Sequence, residues 1–468
     1  MSIEFWGVMG YVGLTLIVGF WASRGVQTED DYLLAGRRIG PMLAIFTTFA
    51  TWFGAETCIG SAGSIYTDGL GGSTADPFGY ALCLVLMGAV FAVPLWRLQI
   101  TTLADLFRIR FGVSVERLVT LLVVPTSLMW GAAQIRAFGQ VLTTTSDIGL
   151  FWATTIAAGV VIAYTVSGGL MADVVTDLVQ GIALILGLLV LGSVVVYQFD
   201  GSVLDHLQAL PADKLALFGT AETPLFERIE MWAIPIFGSV LSQELVARVM
   251  AVRDPYIARR STLIASGMYL LVGLIPVAIG LLGPTLMPDL EHAEQLLPAV
   301  ARQMLPPILY IMFAGALVSA ILSTVDSALL VAASLTEHNL VVSLKPDLSD
   351  TARVRIARML VVVFGVMAYA MALYAEGVYA LVEEASAFGS SGVFVVATLG
   401  LFTKFGGIRA ALASLCTGIM VYILGAYLTQ VHAPYLLSLG AALAAYLLVA
   451  VTEPAFAGFS PSATQQTH

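Results

Sequence analysis

Long apolar segments recur along almost the whole chain, and they restrict its fold more than any other feature of the sequence. Each is about the length that a helix needs to cross a bilayer, and most of the loops between them are short. Hydropathy predicts thirteen such helices: 4–23, 41–66, 76–96, 116–145, 148–167, 173–198, 229–251, 259–284, 298–340, 352–375, 378–403, 408–429 and 433–452. The pattern therefore predicts an all-α, polytopic membrane protein embedded in a lipid bilayer.

Composition excludes several other classes of protein. Of the 468 residues, 59% are hydrophobic and 11% are charged, which is far from the balance of a soluble domain. The three cysteines stand in apolar runs and the five histidines are scattered, so neither a disulfide framework nor a thiol or zinc site is predicted. No nucleophile–base pair stands in the spans, and the net charge of −10 does not favour nucleic acid. We predict neither an enzyme nor a nucleic-acid-binding protein.

The distribution of basic residues predicts how the chain is oriented. If the thirteen spans alternate from an outside N-terminus, 17 of the 21 lysines and arginines fall on the cytoplasmic side. Three fall outside (Lys214, Arg228 and Arg302), and Arg136 falls within a span. The prediction is a multi-pass protein of the plasma (inner) membrane with a cytoplasmic C-terminus, which ends in a polar tail at 456–468.

Two predicted spans are interrupted near their centres. The segment 41–66 contains Gly54, Gly60 and Gly63, and the segment Trp232 to Val249, five spans later, contains Pro235 and Gly238. A helix interrupted in the membrane exposes backbone carbonyls, which transporters use to bind cations. The spacing of the two breaks predicts an inverted repeat of five helices.

A third span is unusually polar. Ala320, Ser323, Thr324 and Ser327 are spaced to share one helix face, and Asp326 flanks them. The hydroxyls are compatible with bonding to their own helix and packing between helices, or with an all-oxygen cation site. A carboxylate at mid-span costs roughly 2.5–3.5 kcal/mol, which favours the cation site.

Further acids lie in or beside the spans. Asp177 is compatible with a helix start near the interface, while Glu56, Asp76 and Glu244 stand in or beside the broken segments. Intramembrane acids are usually functional, although pairing of one or two with Arg136 is the alternative.

Three aromatic residues, Trp52, Tyr80 and Trp130, stand in successive spans. Each alone is typical of core or interface packing, whereas together around one cavity they would stack on a solute or bind an organic cation.

Several stretches, in chain order, resemble the sodium/solute symporters: "DYLLAGRRIG", "ATWFGAETCIGSAGSIYTDGL", "SGGLMADVVTDLVQG" and "ILSTVDSALLVAASLTEHNL". The resemblance implies a LeuT-type fold in one transmembrane domain, 1–455. It would comprise a leading helix (4–23), a first five-helix repeat (41–198), an inverted second repeat (229–403) and two trailing helices (408–452).

The resemblance also implies site residues. The family's common sodium site would use the carbonyls of Ala50, Phe53 and Ala320 and the hydroxyls of Ser323 and Thr324. A second sodium, or a proton, would use Asp177, Ser323, Asp326 and Ser327. "DPFGYALCLVLMG" and "MWGAA" are similar to the choline- and proline-transporter branch, and the implied substrate-binding residues are Trp52, Glu56, Asp76, Tyr80, Trp130, Ser242 and Gln243.

Departures from that branch leave the solute open. The fourth aromatic position of the choline cage corresponds to Ser242, and Glu56 and Asp76 place acids where choline relatives have small neutral residues. The predicted function is sodium-coupled import of a small polar solute: an amine, a quaternary ammonium or an amino-acid-like zwitterion. A membrane-embedded sensor of the same fold is the alternative, and the sequence is compatible with a monomer or a homodimer.

Overall fold

The computed structural model describes residues 3–22, 34–146, 148–167, 170–198, 203–220, 222–345 and 347–453, which are predominantly helical. The helices of the first half are α1 (Ile3–Ala22), α2a (Pro41–Trp52), α2b (Glu56–Asp68), α3 (Ala75–Leu98), α4 (Leu103–Phe111), α5 (Val113–Thr145), α6 (Leu150–Ser167) and α7 (Leu170–Gln198). Those of the second half are α8a (Leu225–Gly238), α8b (Gln243–Ala251), α9 (Pro255–Leu286), α10 (Leu296–Met304), α11 (Pro307–Val341), α12 (Asp350–Tyr374), α13a (Val378–Ala387), α13b (Ser390–Phe402), α14 (Ile408–Leu428) and α15 (Pro434–Ala450). The all-helical prediction is confirmed.

The described residues contain seven helices long and apolar enough to span a membrane, or up to ten if each bent pair is one span. Three shorter apolar helices lie in α1, α6 and α15. The count of thirteen spans therefore stays a prediction. The polar tail at 456–468 lies outside the described residues.

Both interruptions predicted from glycine and proline are present. The axes of α2a and α2b differ by 46°, and those of α8a and α8b differ by 42°. The segment 378–403, predicted to be one helix, also bends by 42°, between α13a and α13b. Gly389 lies at this third bend with a φ of +68°, a conformation that glycine adopts without steric cost.

Two other segments differ from the sequence prediction. The predicted span 298–340 divides into α10 and α11 at Leu305 and Pro306, because Pro306 and Pro307 have no amide hydrogen to continue the helix. Helix α4 was not predicted. It begins with a capping box in which Thr102 and Asp105 satisfy each other's backbone amides.

Helix α11 occupies the centre of the bundle, where it packs against α1, α5, α7 and α12. In the most apolar stretch of α11, 78% of the residues are buried, compared with 33% in the corresponding stretches of α7 and α12. A helix enclosed by protein on all sides can carry hydroxyl and carboxyl groups, because neighbouring helices supply their hydrogen-bond partners. This explains why so polar a predicted span is also deeply buried.

The last helix is connected to the first part of α8. The Glu230 carboxylate accepts hydrogen bonds from the Tyr435 and Leu436 amides, at 3.0 and 2.9 Å. These amides are at the N-terminus of α15, where no intrahelical acceptor exists for them. Glu230 therefore acts as a cap from a distant part of the sequence.

Candidate functional site

The first candidate element is the break between α2a and α2b. The Phe53 amide still donates to the Phe49 carbonyl at 2.8 Å, but the Ala55 amide donates to Gln134 Oε1 on α5 at 3.1 Å. Phe53, with φ −97° and ψ 77°, is no longer helical. Side-chain bonding to α5 thus replaces the regular helix ladder at this point.

Gly54 lies at the break, in contact with groups from three helices. A Cβ atom on Gly54 would lie 2.8 Å from Thr324 Oγ1, 3.1 Å from Gln134 Oε1 and 3.1 Å from Glu56 Oε2. Glycine is therefore needed here for close approach of α11 to the backbone of α2.

Three of the five predicted sodium ligands lie together at this contact. Thr324 Oγ1 is 3.3 Å from the Ala50 carbonyl and 3.2 Å from the Ala320 carbonyl. All three residues are buried, and their donor atoms are oxygens, which suit a hard cation such as sodium. Phe53 follows at the end of α2a, and Ser323 is next to Thr324 on α11.

The Ser323 hydroxyl donates to Asp177 of α7, which also accepts a hydrogen bond from Thr47 Oγ1 at 2.5 Å. Asp177 therefore connects α2a, α7 and α11 immediately beside the predicted sodium ligands. Thr47 was not singled out in the sequence. It lies three residues before Ala50, on the same helix, which is the signal that would have found it.

A buried ion pair lies next to Asp177. Arg248 of α8b bonds to Asp173, and both bond to the Ser327 hydroxyl. Arg248 is one of the 17 basic residues that the sequence predicts on the cytoplasmic side, and the structure shows it in α8b with 2% of its surface exposed. An arginine can be buried at this point because Asp173 supplies the opposite charge. Asp173 was also missed, although its spacing of four from Asp177 places both on one helix face.

Asp326 forms no hydrogen bond with this group among the described residues, although it interacts electrostatically with Asp173 and Arg248. It is 1% exposed, its Oδ1 lacks a hydrogen bond within the described part of the chain, and it also interacts with Tyr164 on α6. The structure therefore brings Ser323 to Asp177 and Ser327 to Asp173, while Asp326 lies on the α6 side of α11.

The three predicted aromatic residues are in mutual contact. The ring centroid of Trp52 lies 5.2 Å from those of Tyr80 and Trp130, and the latter two are 6.0 Å apart. Trp52 and Tyr80 are buried, while Trp130 lines a narrow cleft between α5, α8 and α13. The aromatic cluster thus separates the cleft from the interior of the bundle.

Ser386 of α13a connects the cleft to this cluster. Its hydroxyl lies 2.9 Å from the Tyr80 hydroxyl and accepts a hydrogen bond from Ser239 of α8, also at 2.9 Å. Ser242 lines the same cleft and caps α8b. The predicted Gln243 is directed elsewhere: its Oε1 accepts from the Leu103 amide at 2.6 Å, next to a second cavity that Arg248 lines.

Glu56 and Asp76 are fully buried. Gln134 Nε2 donates to Glu56 Oε2 at 2.7 Å, and Thr57 Oγ1 donates to Asp76 Oδ2 at 2.9 Å. Arg136, considered as a partner for these acids, instead lies 3.5 Å from Glu294. Glu294 also accepts from Gln140 and from the Val378 amide, so it connects α5 with the start of α13a.

Comparison with known proteins gives consistent results. The model of the sodium:solute symporter family matches residues 32–418. A high-affinity choline transporter 1 of Drosophila melanogaster is 29% identical over 388 residues, which are 79% of this chain and 62% of that protein. A sodium/pantothenate symporter of Haemophilus influenzae is 28% identical over 326 residues, covering 68% of this chain and 67% of that protein.

Among solved structures, a Na⁺-coupled sialic acid symporter in an outward-open state has a similar fold. The TM-score is 0.83 at 18% identity, covering 98% of this chain and 99% of that one. This similarity concerns the fold alone, which agrees with the LeuT-type fold expected from the sequence.

Proposed function

This chain belongs to the sodium:solute symporter family, and we propose that it imports a small polar organic solute together with sodium by alternating access. The relatives that it matches are transporters rather than enzymes. The observation that carries the proposal is the contact of Thr324 Oγ1 with the Ala50 and Ala320 carbonyls across the break in α2.

Sodium at this contact would be held by Ala50, Phe53, Ala320, Ser323 and Thr324. Its charge would bind α11 to the broken end of α2a, and so couple sodium occupancy to the relative position of the two helices. One positive charge moving inward gains about 2.3 kcal/mol per 100 mV of membrane potential. That energy supports an accumulation of about fifty-fold, before the sodium gradient is added.

A second cation next to this position is less favoured than the sequence alone implied. Asp177 could bind sodium or a proton with Ser323, but the Arg248 guanidinium already bonds to Ser327 and Asp173. We propose one sodium at the Thr324 contact and assign Asp177 to its surroundings. The solute would bind from the cleft lined by Trp130 and Ser242 inward, past the aromatic cluster, to Glu56 and Asp76. We also propose that the N-terminus lies outside and the C-terminus lies in the cytoplasm.

Thr324→Ala tests the sodium assignment. Loss of a direct hydroxyl ligand is expected to raise the sodium concentration for half-maximal uptake at least about tenfold, because a polar contact to an ion contributes about 1.5–3 kcal/mol. The measurement is sodium-driven uptake of labelled candidate solutes in proteoliposomes. Thr336→Ala is the matched control: this hydroxyl, on the same helix, bonds only to the Ala332 carbonyl among the described contacts. Unchanged sodium dependence in Thr324→Ala would refute the site.

The same assay separates a transporter from a sensor. A transporter accumulates solute inside vesicles when sodium is imposed outside, whereas a sensor binds solute without accumulation.

A further inference from the structure

We propose that Glu56 and Asp76 form a binding site for a protonated amine, and that they select solutes whose charged nitrogen carries N–H groups. The proposal rests on the proposed function, because it names the chemical class of the solute that the symporter carries.

Among the described residues, each carboxylate has one oxygen with a side-chain hydrogen-bond donor and one oxygen without. Gln134 donates to Glu56 Oε2, while Glu56 Oε1 lacks a hydrogen bond within this part of the chain. Thr57 donates to Asp76 Oδ2, while Asp76 Oδ1 likewise lacks one. Both residues are 0% exposed, so water does not reach the free oxygens from the surface. Buried acceptors without donors are costly, and this cost is removed when a ligand supplies the donors.

The two acids form a single electrostatic site. Glu56 and Asp76 repel each other, the Tyr269 hydroxyl hydrogen-bonds to Asp76, and the Tyr80 hydroxyl interacts electrostatically with both carboxylates. Among the described residues, no lysine, arginine or histidine forms an ion pair with either carboxylate. Two buried carboxylates with only neutral partners therefore require a cation from outside the chain, or protonation in its absence.

The neighbouring aromatic cluster favours an organic cation over an inorganic one. Trp52 precedes Glu56 by four residues across the break in α2, and Tyr80 follows Asp76 by four on α3. The Tyr80 hydroxyl interacts electrostatically with both carboxylates, so the cluster adjoins the acids. Aromatic rings attract the methylene groups and charge of an ammonium ion, but they contribute no oxygen ligands to a metal ion. The Tyr80 hydroxyl is already within hydrogen-bond distance of Ser386.

The number of free acceptors distinguishes between amines. A primary or secondary ammonium donates N–H hydrogens to Glu56 Oε1 and Asp76 Oδ1 simultaneously. A quaternary ammonium has the same charge but no N–H group, so it would leave both oxygens unsatisfied. A site built to receive hydrogen bonds rejects a ligand that lacks them more strongly than an apolar site rejects a ligand of altered size.

A graded series of amines tests the proposal on the purified full chain. Ethanolamine, N-methylethanolamine, N,N-dimethylethanolamine and choline are all cations at about pH 7, and they differ by one N–H at each step. Binding is followed by thermal shift and by tryptophan fluorescence at fixed sodium and ionic strength, with K⁺ as the inorganic control. We expect ethanolamine to saturate at a concentration at least about tenfold lower than choline, with the other two between.

Two variants test whether these carboxylates cause the difference in affinity between ethanolamine and choline. Glu56→Gln and Asp76→Asn are expected to reduce the ethanolamine-to-choline ratio to less than about threefold, because each removes one charged acceptor. Glu116→Gln is the control. Glu116 is also 0% exposed, accepts from one amide (Asn339) and has one oxygen without a hydrogen bond among the described residues, but it pairs with Arg108 and lies at the start of α5, away from this site. It should keep the wild-type ratio.

The outcomes are decisive in both directions. Equal affinity for ethanolamine and choline, no response to any N–H amine, or an unchanged ratio in Glu56→Gln and Asp76→Asn would overturn the proposal. If these variants fail to fold, the wild-type series decides alone. Sodium-induced stabilisation without amine is measured separately, so that its absence counts against the sodium site and not against the amine site.

Discussion

Replacing Gly54 by alanine tests whether sodium binding depends on the close contact between the break in α2 and Thr324. The added Cβ atom would lie 2.8 Å from Thr324 Oγ1, which is closer than side-chain carbons approach in folded proteins. Insertion of an extra carbon into such a packed position costs about 1–3 kcal/mol. Because Thr324 is a predicted ligand, the strain is relieved by moving its hydroxyl out of position.

We expect this displacement to weaken sodium binding by about 1–2 kcal/mol, which raises the half-saturating sodium concentration about 5–30-fold. The assay is the sodium dependence of solute uptake in proteoliposomes, together with the sodium-induced shift in melting temperature. Gly131→Ala is the control. Its Cβ would meet Leu329 of the same helix α11 at an ordinary 3.5 Å, so sodium dependence should not change.

Two results would refute the reasoning. Wild-type sodium dependence in Gly54→Ala at a wild-type melting temperature would mean that Thr324 does not contribute to the ion site. A lower melting temperature with unchanged sodium dependence would mean that the clash is relieved by Gln134 or Glu56 instead.

Three further predictions concern charged groups that join helices. Asp173→Asn removes the carboxylate that is hydrogen-bonded to the buried Arg248 and should destabilise the protein by about 3–5 kcal/mol, measured as a loss of melting temperature. Glu294→Gln weakens the connection between α5 and α13a, and should increase several-fold the rate at which a water-soluble maleimide labels the buried Cys58. Glu230→Gln weakens the cap of α15 and should cost about 1 kcal/mol of stability.

Each of these has a control. Adding Arg248→Met to Asp173→Asn should recover most of the lost stability, and no recovery would contradict the charge argument. The maleimide experiment uses a chain in which Cys83 and Cys416 are serine, and an unchanged rate would mean that Glu294 does not restrain access. Glu227 lies on the same helix as Glu230 but contacts His432 at the surface. Glu227→Gln should therefore leave the melting temperature of the protein unchanged.

The main features of the fold could be predicted from the sequence because hydrocarbon leaves few solutions for the backbone. Apolar periodicity located the helices, and glycine and proline located two of the three bends. The bend at Gly389 was missed because a single glycine in an apolar helix is common, and only its positive φ distinguishes it. The division between α10 and α11 was missed because it is caused by two adjacent prolines, and hydropathy alone does not detect a helix end at proline.

The candidate site was predicted less completely. The contact of Thr324 with Ala50 follows from residues that the sequence already singled out, and so does the clustering of Trp52 with Tyr80 and Trp130. Bonding between distant side chains could not be read from the sequence, because it depends on how helices rotate against each other. For that reason the pairing of Asp173 with Arg248 was missed.

The single serine that joins three elements at the cleft has a consequence for engineering this protein. Ser386 contacts Tyr80 of α3 and Ser239 of α8, and its carbonyl would lie 2.1 Å from a Cβ atom on Gly238 at the bend of α8. A substitution that reshapes the cleft at this residue also changes the packing of a bent helix. Laboratory evolution at Ser386 is therefore expected to alter turnover rate together with selectivity, and the same is expected at Ser242, which caps α8b on the other side of the bend.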